Sequence, residues 1–204
     1  MGYVPCGQQA LSYAFIAKQG WSSRDPHAKT RDEMEDEPAK GSSDLREGEI
    51  AVDLPGRFDA SLYYIGRIHT PWTRREDCPK NPRETDAVCT IVLDPRWVAG
   101  LQGLESVSHV VVLYWMDRAR RDLVLQAPHH YPERRGTFAL RSPVRPNPIA
   151  VSVVRLVRIE GNTLSVVGLD CVDGTPLLDL KPYFASTDAV PEASVGWHAG
   201  LKRG

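Results

Sequence analysis

From residue 62 onward the chain consists of short apolar runs separated by glycine and proline, a pattern typical of β-strands joined by turns. Six of these runs predict strands, at residues 62–68, 87–93, 110–115, 136–140, 149–159 and 163–169. Gly161 and Asn162 separate the last two runs, and both residue types accept the positive φ of a tight hairpin turn. Six or more strands with little helix favour a mainly β fold, a compact closed β-barrel with few short helices.

The first 60 residues lack this pattern and predict a flexible N-terminal extension of acidic and polar character. Apolar residues at helical spacing predict at most one short helix, at residues 9–19. Residues 22–49 are rich in charged residues, serine and proline, with an acidic run at 32–37. Such a segment cannot bury enough apolar area to offset about 1–2 kcal/mol of backbone entropy per residue. We therefore expect an extension at 1–60 and a β-barrel domain at 61–199.

Composition excludes several classes of protein. The 204 residues are 42% hydrophobic and carry a formal net charge of −1, which suits one globular domain with an extension. This balance argues against bulk electrostatic capture of nucleic acid but is compatible with a local basic patch. No apolar run approaches the roughly 20 residues that span a bilayer, and the N-terminus lacks the features of a signal peptide. We expect no membrane association.

The cysteine pattern indicates a protein of the reducing cytoplasm. The four cysteines, Cys6, Cys78, Cys89 and Cys171, are widely spaced and form no CxxC pair, so we expect no bound metal. Cys89 lies in an apolar run and is interpreted as a small core residue. His109 is interpreted as a hydrogen-bonded core histidine rather than a general base.

The stretch from Phe138 to Ser152, FALRSPVRPNPIAVS, combines two arginines, three prolines and an asparagine. Each proline fixes its own φ and restricts the residue before it, so the backbone around Arg141, Arg145 and Asn147 is held rigid. A rigid loop that presents guanidinium and carboxamide groups suits the binding of a polar ligand. The alternative is a stiff connector whose arginines are only solvated.

This stretch resembles the signature of the TsaA-like family, which contains the TrmO-type methyltransferases. Three further segments, at 64–72, 103–109 and 173–183, are similar to the family in the same order. The resemblance implies a compact β-barrel that forms a homodimer. It also implies an S-adenosyl-L-methionine-dependent methyltransferase that modifies N6 of threonylcarbamoyladenosine next to the anticodon of tRNA.

The resemblance further implies that separated parts of the chain bind the methyl donor. The residues concerned are Pro79, Lys80, Asn81, Asp117, Arg118, Arg141, Asp170, Cys171, Val172 and Asp173. A carboxylate near the adenosyl group makes chemical sense, because it accepts hydrogen bonds from ribose hydroxyls or pairs with the ammonium group of the ligand. For Asp170 and Asp173 the alternative is turn formation, since Asp-Gly is also a strong turn signal.

Five residues are candidates for acceptor contacts and catalysis: Arg145, Asn147, Asp179, Lys181 and Tyr183. The carboxamide oxygen of Asn147, with a backbone carbonyl, is suited to accept hydrogen bonds from an adenine amine. Asp179, Lys181 and Tyr183 alternate along an extended segment, so their side chains can share one face. They either bind the threonylcarbamoyl carboxylate or form a structural wall with an Asp–Lys pair.

Clustered arginines are candidates for phosphate contacts with RNA, or else form a solvated surface. The clusters are Arg74 with Arg75, Arg118 with Arg120 and Arg121, and Arg134 with Arg135. Two other functions stay open: methyl transfer to a small molecule, and a non-catalytic module that binds S-adenosyl-L-methionine or a nucleotide. The short segment after Trp197, and the Asp117–Arg118 pair where the family often carries His-Gln, favour these alternatives.

Overall fold

Antiparallel pairing of six strands produces a closed β-barrel. The computed structural model describes residues 45–128 and 133–198. Their strands are β1 (Ile50–Ala51), β2 (Gly66–His69), β3 (Val88–Leu93), β4 (His109–Trp115), β5 (Leu123–Gln126), β6 (Arg135–Gly136), β7 (Ile149–Glu160), β8 (Thr163–Val167) and β9 (Thr175–Pro182). The barrel order is β2-β3-β8-β7-β4-β9, and β9 pairs again with β2. The predicted mainly β, closed-barrel fold is confirmed.

The barrel interior is filled by apolar side chains. In β4, Val110, Val112 and Tyr114 face inward and are buried, while the residues between them face outward. The same inward set includes Ile68, Ile91, Val154, Leu164, Val166 and Leu177, each 0% exposed. Cys89 is buried among them, which confirms its interpretation as a core residue. A barrel of this size has just enough interior for its own side chains, so its chemistry must lie at an end or on the outside.

The predicted hairpin turn joins β7 to β8. Glu160 pairs with Thr163, which leaves Gly161 and Asn162 as the turn. Gly161 has a φ of 60°, whereas Asn162 does not enter the positive region, as in turns that need positive φ only at the first central residue. The strand after the turn ends at Val167, two residues before the predicted end, because Gly168 leaves the strand with a φ of 110°.

A separate sheet contains the short strands β1, β5 and β6. Ile50 of β1 pairs with Leu125 of β5, although residues 1–60 were expected to form an extension. The division of the chain at residue 60 stays a prediction. The predicted helix at 9–19, the acidic run and Cys6 lie outside the described residues.

The prediction of a strand at residues 136–140 is wrong. In this segment only Arg135–Gly136 forms a strand, and Thr137–Ala139 forms a 3-10 helix. The Arg145 guanidinium donates hydrogen bonds to the carbonyls of Thr137 and Leu140, both at 3.2 Å. These contacts use carbonyls that a strand would have offered to a neighbouring strand, and they favour the turn instead.

The helices of the described chain are short. The 3-10 helices are Arg75–Asp77, Pro82–Glu84, Pro95–Leu101, Leu104–Ser106, Thr137–Ala139 and Gly196–His198, and the α-helix α1 is Ala185–Asp188. Within the described ranges, no helix has the length and apolar character needed to cross a membrane.

Candidate functional site

A cavity of about 400 Å³ lies at one end of the barrel. Four segments line it: 73–75 after β2, 116–120 after β4, Pro143 with Val144, and 172–175 leading into β9. Because β9 runs antiparallel to β2 and to β4, its first residues lie beside the last residues of both strands. The pairing order of the barrel therefore assembles the cavity from segments that are distant in sequence.

Four of the ten residues predicted to bind the methyl donor line this cavity. They are Asp117, Arg118, Val172 and Asp173. The other six, Pro79, Lys80, Asn81, Arg141, Asp170 and Cys171, are not part of the lining. The donor-binding roles of all ten stay predictions.

Further lining residues were not identified from the sequence as parts of the site. Thr73 and Met116 belong to this group, and so do Pro143 and Val144 of the proline-rich stretch. Met116 directly follows β4, so its position just beyond a strand end was the available signal. The side chains of Pro143 and Val144 are apolar, so the sequence gives no chemical signal that they line a site.

Asp173 presents a carboxylate at the cavity wall. Its Oδ1 accepts a hydrogen bond from the Thr70 backbone N–H at 3.1 Å and lies 3.2 Å from His69 Nδ1. The Asp173 N–H donates to the Trp72 carbonyl at 2.7 Å. The hydrogen bond from Thr70 orients the carboxylate at the end of β2. Because 42% of the side chain is exposed, a ligand can still reach it.

Two of the four arginines at the cavity are neutralised by nearby carboxylates. Arg74 donates to both carboxylate oxygens of Asp77 at 2.9 Å. Arg120 donates to both oxygens of Asp122 at 2.8 Å, and these hydrogen bonds lower the pKa of the Asp122 carboxyl. Such paired groups have little remaining capacity to bind an anion.

The other two arginines, Arg75 and Arg118, form no ion pair with any described side chain, and both line the cavity. Asp117 and Asp173 line it as well, and neither carboxylate is paired with an arginine or lysine in the described part of the chain. The cavity thus offers separate acidic and basic groups, an arrangement that suits a ligand carrying charges of both signs.

Asp170 is fixed by a buried polar network beside the cavity wall. The Tyr114 hydroxyl donates to Asp170 Oδ1 at 2.8 Å and lies 3.0 Å from Ser152 Oγ. Burial, together with the Asp170 charge, raises the pKa of Tyr114. Burial raises the pKa of Cys171 to about 12, so this thiol stays protonated and is unsuited to act as a nucleophile.

The loop at residues 141–148, here called the signature loop, is held by a hydrogen bond to one of its own carbonyls and by hydrogen bonds from its arginines to carbonyls of the flanking chain. Gln126 Nε2 donates to the Val144 carbonyl at 2.6 Å. The Arg145 guanidinium binds the carbonyls of Thr137 and Leu140, and Arg141 Nη2 donates to the Val151 carbonyl at 2.9 Å. Within one chain, both arginines therefore brace the protein backbone.

The remaining acceptor candidates lie away from this end of the barrel. Lys181 forms an ion pair with Asp179, and both side chains are partly exposed rather than buried. The Tyr183 N–H donates to the His109 carbonyl at 3.0 Å, at the end of β4 opposite to the cavity. His109 is exposed because the alternation of β4 places it outward, so its interpretation as a core residue is wrong.

Among residues 45–128 and 133–198, no group of three or more histidine, cysteine, aspartate or glutamate side chains is arranged to hold a metal ion.

Comparison with known proteins identifies relatives of the barrel. The family model of the tRNA-methyltransferase O N-terminal domain matches residues 67–189. The probable S-adenosyl-L-methionine-binding protein VirR of Rhizobium radiobacter is 48% identical over 141 residues, which cover 69% of this chain and 81% of the relative. An S-adenosyl-L-methionine-binding protein of Archaeoglobus fulgidus is 41% identical over 126 residues, which cover 62% of this chain and 91% of the relative.

A solved structure shares the fold. The crystal structure of TrmO from Pseudomonas aeruginosa has a TM-score of 0.58 and 37% sequence identity to this chain. The match covers 68% of this chain but only 62% of that chain, so the present chain spans less than two thirds of the solved protein.

Proposed function

This chain belongs to the family of tRNA-methyltransferase O N-terminal domains, and we propose that it transfers a methyl group from S-adenosyl-L-methionine to N6 of threonylcarbamoyladenosine, next to the anticodon of tRNA. The observation that carries the proposal is the family match over residues 67–189, which contains all of the residues lining the cavity. The names of the relatives from Rhizobium radiobacter and Archaeoglobus fulgidus support the methyl donor. We further propose that the protein acts in the cytoplasm, where tRNA is modified.

The cavity suits the proposed donor in size and charge. Its volume of about 400 Å³ lies in the range of small-molecule sites. Asp117 and Asp173 would hold the ribose hydroxyls or the ammonium group, and Arg75 or Arg118 would pair with the donor carboxylate. When bound, S-adenosyl-L-methionine supplies a methyl group attached to a positively charged sulfur, which leaves readily as a neutral thioether. The main task of the protein is then orientation, which can contribute about 7–11 kcal/mol in favourable cases.

Asn147 is proposed to orient the adenine amine. Its Oδ1 accepts one hydrogen bond from Arg121 Nη2 at 3.3 Å, and a carboxamide oxygen has a second lone pair for an amine proton. Pro143 and Val144 of the same loop line the cavity, so an acceptor bound against this loop would approach the donor from the loop side.

Mass spectrometry of nucleosides tests the proposal. Purified protein, S-adenosyl-L-methionine and tRNA from a strain lacking this gene are expected to yield methylated threonylcarbamoyladenosine. Asn147→Ala is expected to lower the single-turnover rate about tenfold or more, because the amine loses an orienting acceptor. An unchanged rate would remove the role of Asn147.

The other outcomes of this experiment separate the alternative functions. If no tRNA nucleoside gains a methyl group but a small molecule does, the acceptor assignment fails. Donor binding by calorimetry without any methyl transfer would indicate a binding module.

A homodimer is proposed from the outer face of the barrel. Ile149, Val151, Val153 and Val157 form one outward-facing row on β7 and are between 41% and 47% exposed. Four exposed apolar side chains on one strand face, with Arg155 between the last two, favour a protein interface. The Asp179–Lys181 pair lies on β9, which β4 separates from β7, and it is proposed to contact an acceptor bound to the second copy of the chain.

Light scattering coupled to size exclusion tests the dimer. The native protein is expected to have twice the chain mass, and Val153→Glu is expected to shift it to the monomer, because the substitution buries a charge in the interface. Val88→Glu changes an exposed valine on β3, which is not adjacent to β7, and is expected to leave the dimer intact. A native monomer, or the same mass for Val153→Glu, would contradict the proposal.

A further inference from the structure

Arg121, in the connection between β4 and β5, contacts two acceptors of the signature loop and lies over two aromatic rings. Its Nε donates to the Pro146 carbonyl at 2.6 Å, and its Nη2 donates to Asn147 Oδ1 at 3.3 Å. The guanidinium carbon lies 5.0 Å from the centre of the Phe58 ring and 5.5 Å from the centre of the Trp115 ring. A planar cation that contacts two aromatic rings and two acceptors has a restricted orientation, which in turn restricts the direction of its N–H groups.

The signature loop needs such a donor from outside. Pro143, Pro146 and Pro148 have no N–H group, so this part of the chain cannot form a regular hydrogen-bonded ladder. The loop is bound through its acceptors: Met116 N–H donates to the Pro148 carbonyl at 2.9 Å, and Ile149 N–H donates to the Asn147 carbonyl at 2.7 Å. Arg121 adds a hydrogen bond to the Pro146 carbonyl, and it contacts the Asn147 side chain directly.

Phe58 comes from the segment that precedes the barrel. It lies outside residues 67–189, the part of the chain that the family model matches. Its ring is 70% exposed, so it contributes little to the core, and its described contact is with the Arg121 guanidinium. A residue outside the family domain is therefore placed to influence a loop inside it.

We propose that Arg121 is a positioning residue that sets the direction of the Asn147 carboxamide, and that Phe58 holds Arg121 in this orientation. The catalytic consequence rests on the proposed function, whereas the structural consequence does not. Neither Arg121 nor Phe58 lines the donor cavity. The effect should therefore appear in the use of the acceptor and not in the binding of the donor.

Hydrogen exchange of the signature loop tests the structural part in the full chain without ligands. Arg121→Gln is expected to increase amide exchange at Ile149 and Met116 about tenfold, since one or two hydrogen bonds that restrain the loop are lost. Arg96→Gln is the matched control, because Arg96 also lies over an aromatic ring, Trp97, at 6.0 Å and pairs with a local carboxylate. The control is expected to leave exchange at Ile149 and Met116 unchanged. Equal exchange in Arg121→Gln and the native protein would overturn the proposal.

Steady-state kinetics with tRNA tests the catalytic part through Phe58, whose exposure allows substitution without loss of folding. Phe58→Leu is expected to lower kcat about tenfold while the Kd of S-adenosyl-L-methionine by calorimetry stays within about twofold, and Phe58→Tyr is expected to restore kcat. Unchanged kcat in Phe58→Leu and in Arg121→Gln would overturn the positioning role. If the native protein methylates no tRNA, the proposed function fails, and the exchange measurement still decides whether Arg121 orders the loop.

Discussion

Asp173→Asn is expected to weaken the binding of S-adenosyl-L-methionine about 10- to 100-fold. The carboxylate lines the cavity, and its charge would be opposed to the positive groups of the donor. Asparagine keeps an oxygen that can accept the Thr70 N–H, so the wall of the cavity retains its hydrogen bond to the end of β2. The substitution therefore removes a charge and a hydrogen-bond acceptor without removing the local support. Calorimetry at neutral pH and low salt measures the change in Kd.

Asp188→Asn provides the matched control for this measurement. Asp188 Oδ2 accepts the Phe184 N–H at 2.8 Å in α1, and Asp188 does not line the cavity. Its replacement is expected to leave the Kd unchanged. If Asp173→Asn is folded and binds the donor as tightly as the native protein, then Asp173 is a turn residue and the donor site must be sought elsewhere.

The rigidity of the proline-rich signature loop is predictable from the sequence, whereas the directions of its arginine side chains are not. Its rigidity follows from local covalent geometry, since each proline restricts two residues wherever it occurs. The directions of Arg141 and Arg145 do not follow from local geometry. A guanidinium on a long side chain binds whichever acceptors the fold brings within reach, here the carbonyls of Val151, Thr137 and Leu140. The loop residues that line the cavity are therefore Pro143 and Val144, which carry no polar side chain.

Strands β5 and β9 were missed for different physical reasons. Strand β5 has four residues between an arginine cluster and a proline, too few to show a clear alternation. Strand β9 contains Pro176 and Pro182, which argue against a strand inside a sheet. Pro176 is the second residue of β9 and Pro182 is the last, so the prolines remove donors near the strand ends and leave the centre able to pair with β2 and β4.

The position of the cavity does not follow from the sequence alone, because it depends on the order in which the strands pair. The segments around Thr73, Asp117 and Asp173 meet because β9 returns to pair with β2 and also pairs with β4. Strand lengths and turn signals do not specify this closure, since the same strands are compatible with other antiparallel orders. The family resemblance implied which segments form the site. The strand order of the barrel explains why four of the residues lie at one cavity, namely Asp117, Arg118, Val172 and Asp173. The roles of the residues away from the cavity depend on the ligand and on the proposed dimer, neither of which local sequence determines.

Gly66→Ala is expected to lower the free energy of unfolding by about 3 kcal/mol, because the closed barrel requires close contact between β2 and β3 at this residue. Gly66 lies in β2 opposite Leu93 of β3. A Cβ atom at this position would lie 2.3 Å from the Val92 carbonyl oxygen and 3.0 Å from Leu93 Cα. Both atoms belong to the backbone of a core strand and cannot rotate away, so β2 must move from β3. Urea unfolding followed by tryptophan fluorescence measures the expected shift.

Gly136→Ala separates this steric cause from a general effect of replacing glycine. Gly136 has a φ of −58°, which alanine accepts, and a Cβ atom there would meet nothing within 4 Å. This variant is expected to be as stable as the native protein or more stable by about 0.4–1 kcal/mol, because the unfolded chain loses conformational freedom. Equal stability of both variants would mean that β2 and β3 are not in the close contact on which the barrel depends. Since β2 also carries Thr70 and the Asp173 contact at its end, Gly66→Ala is expected to weaken donor binding together with stability, whereas Asp173→Asn changes binding alone.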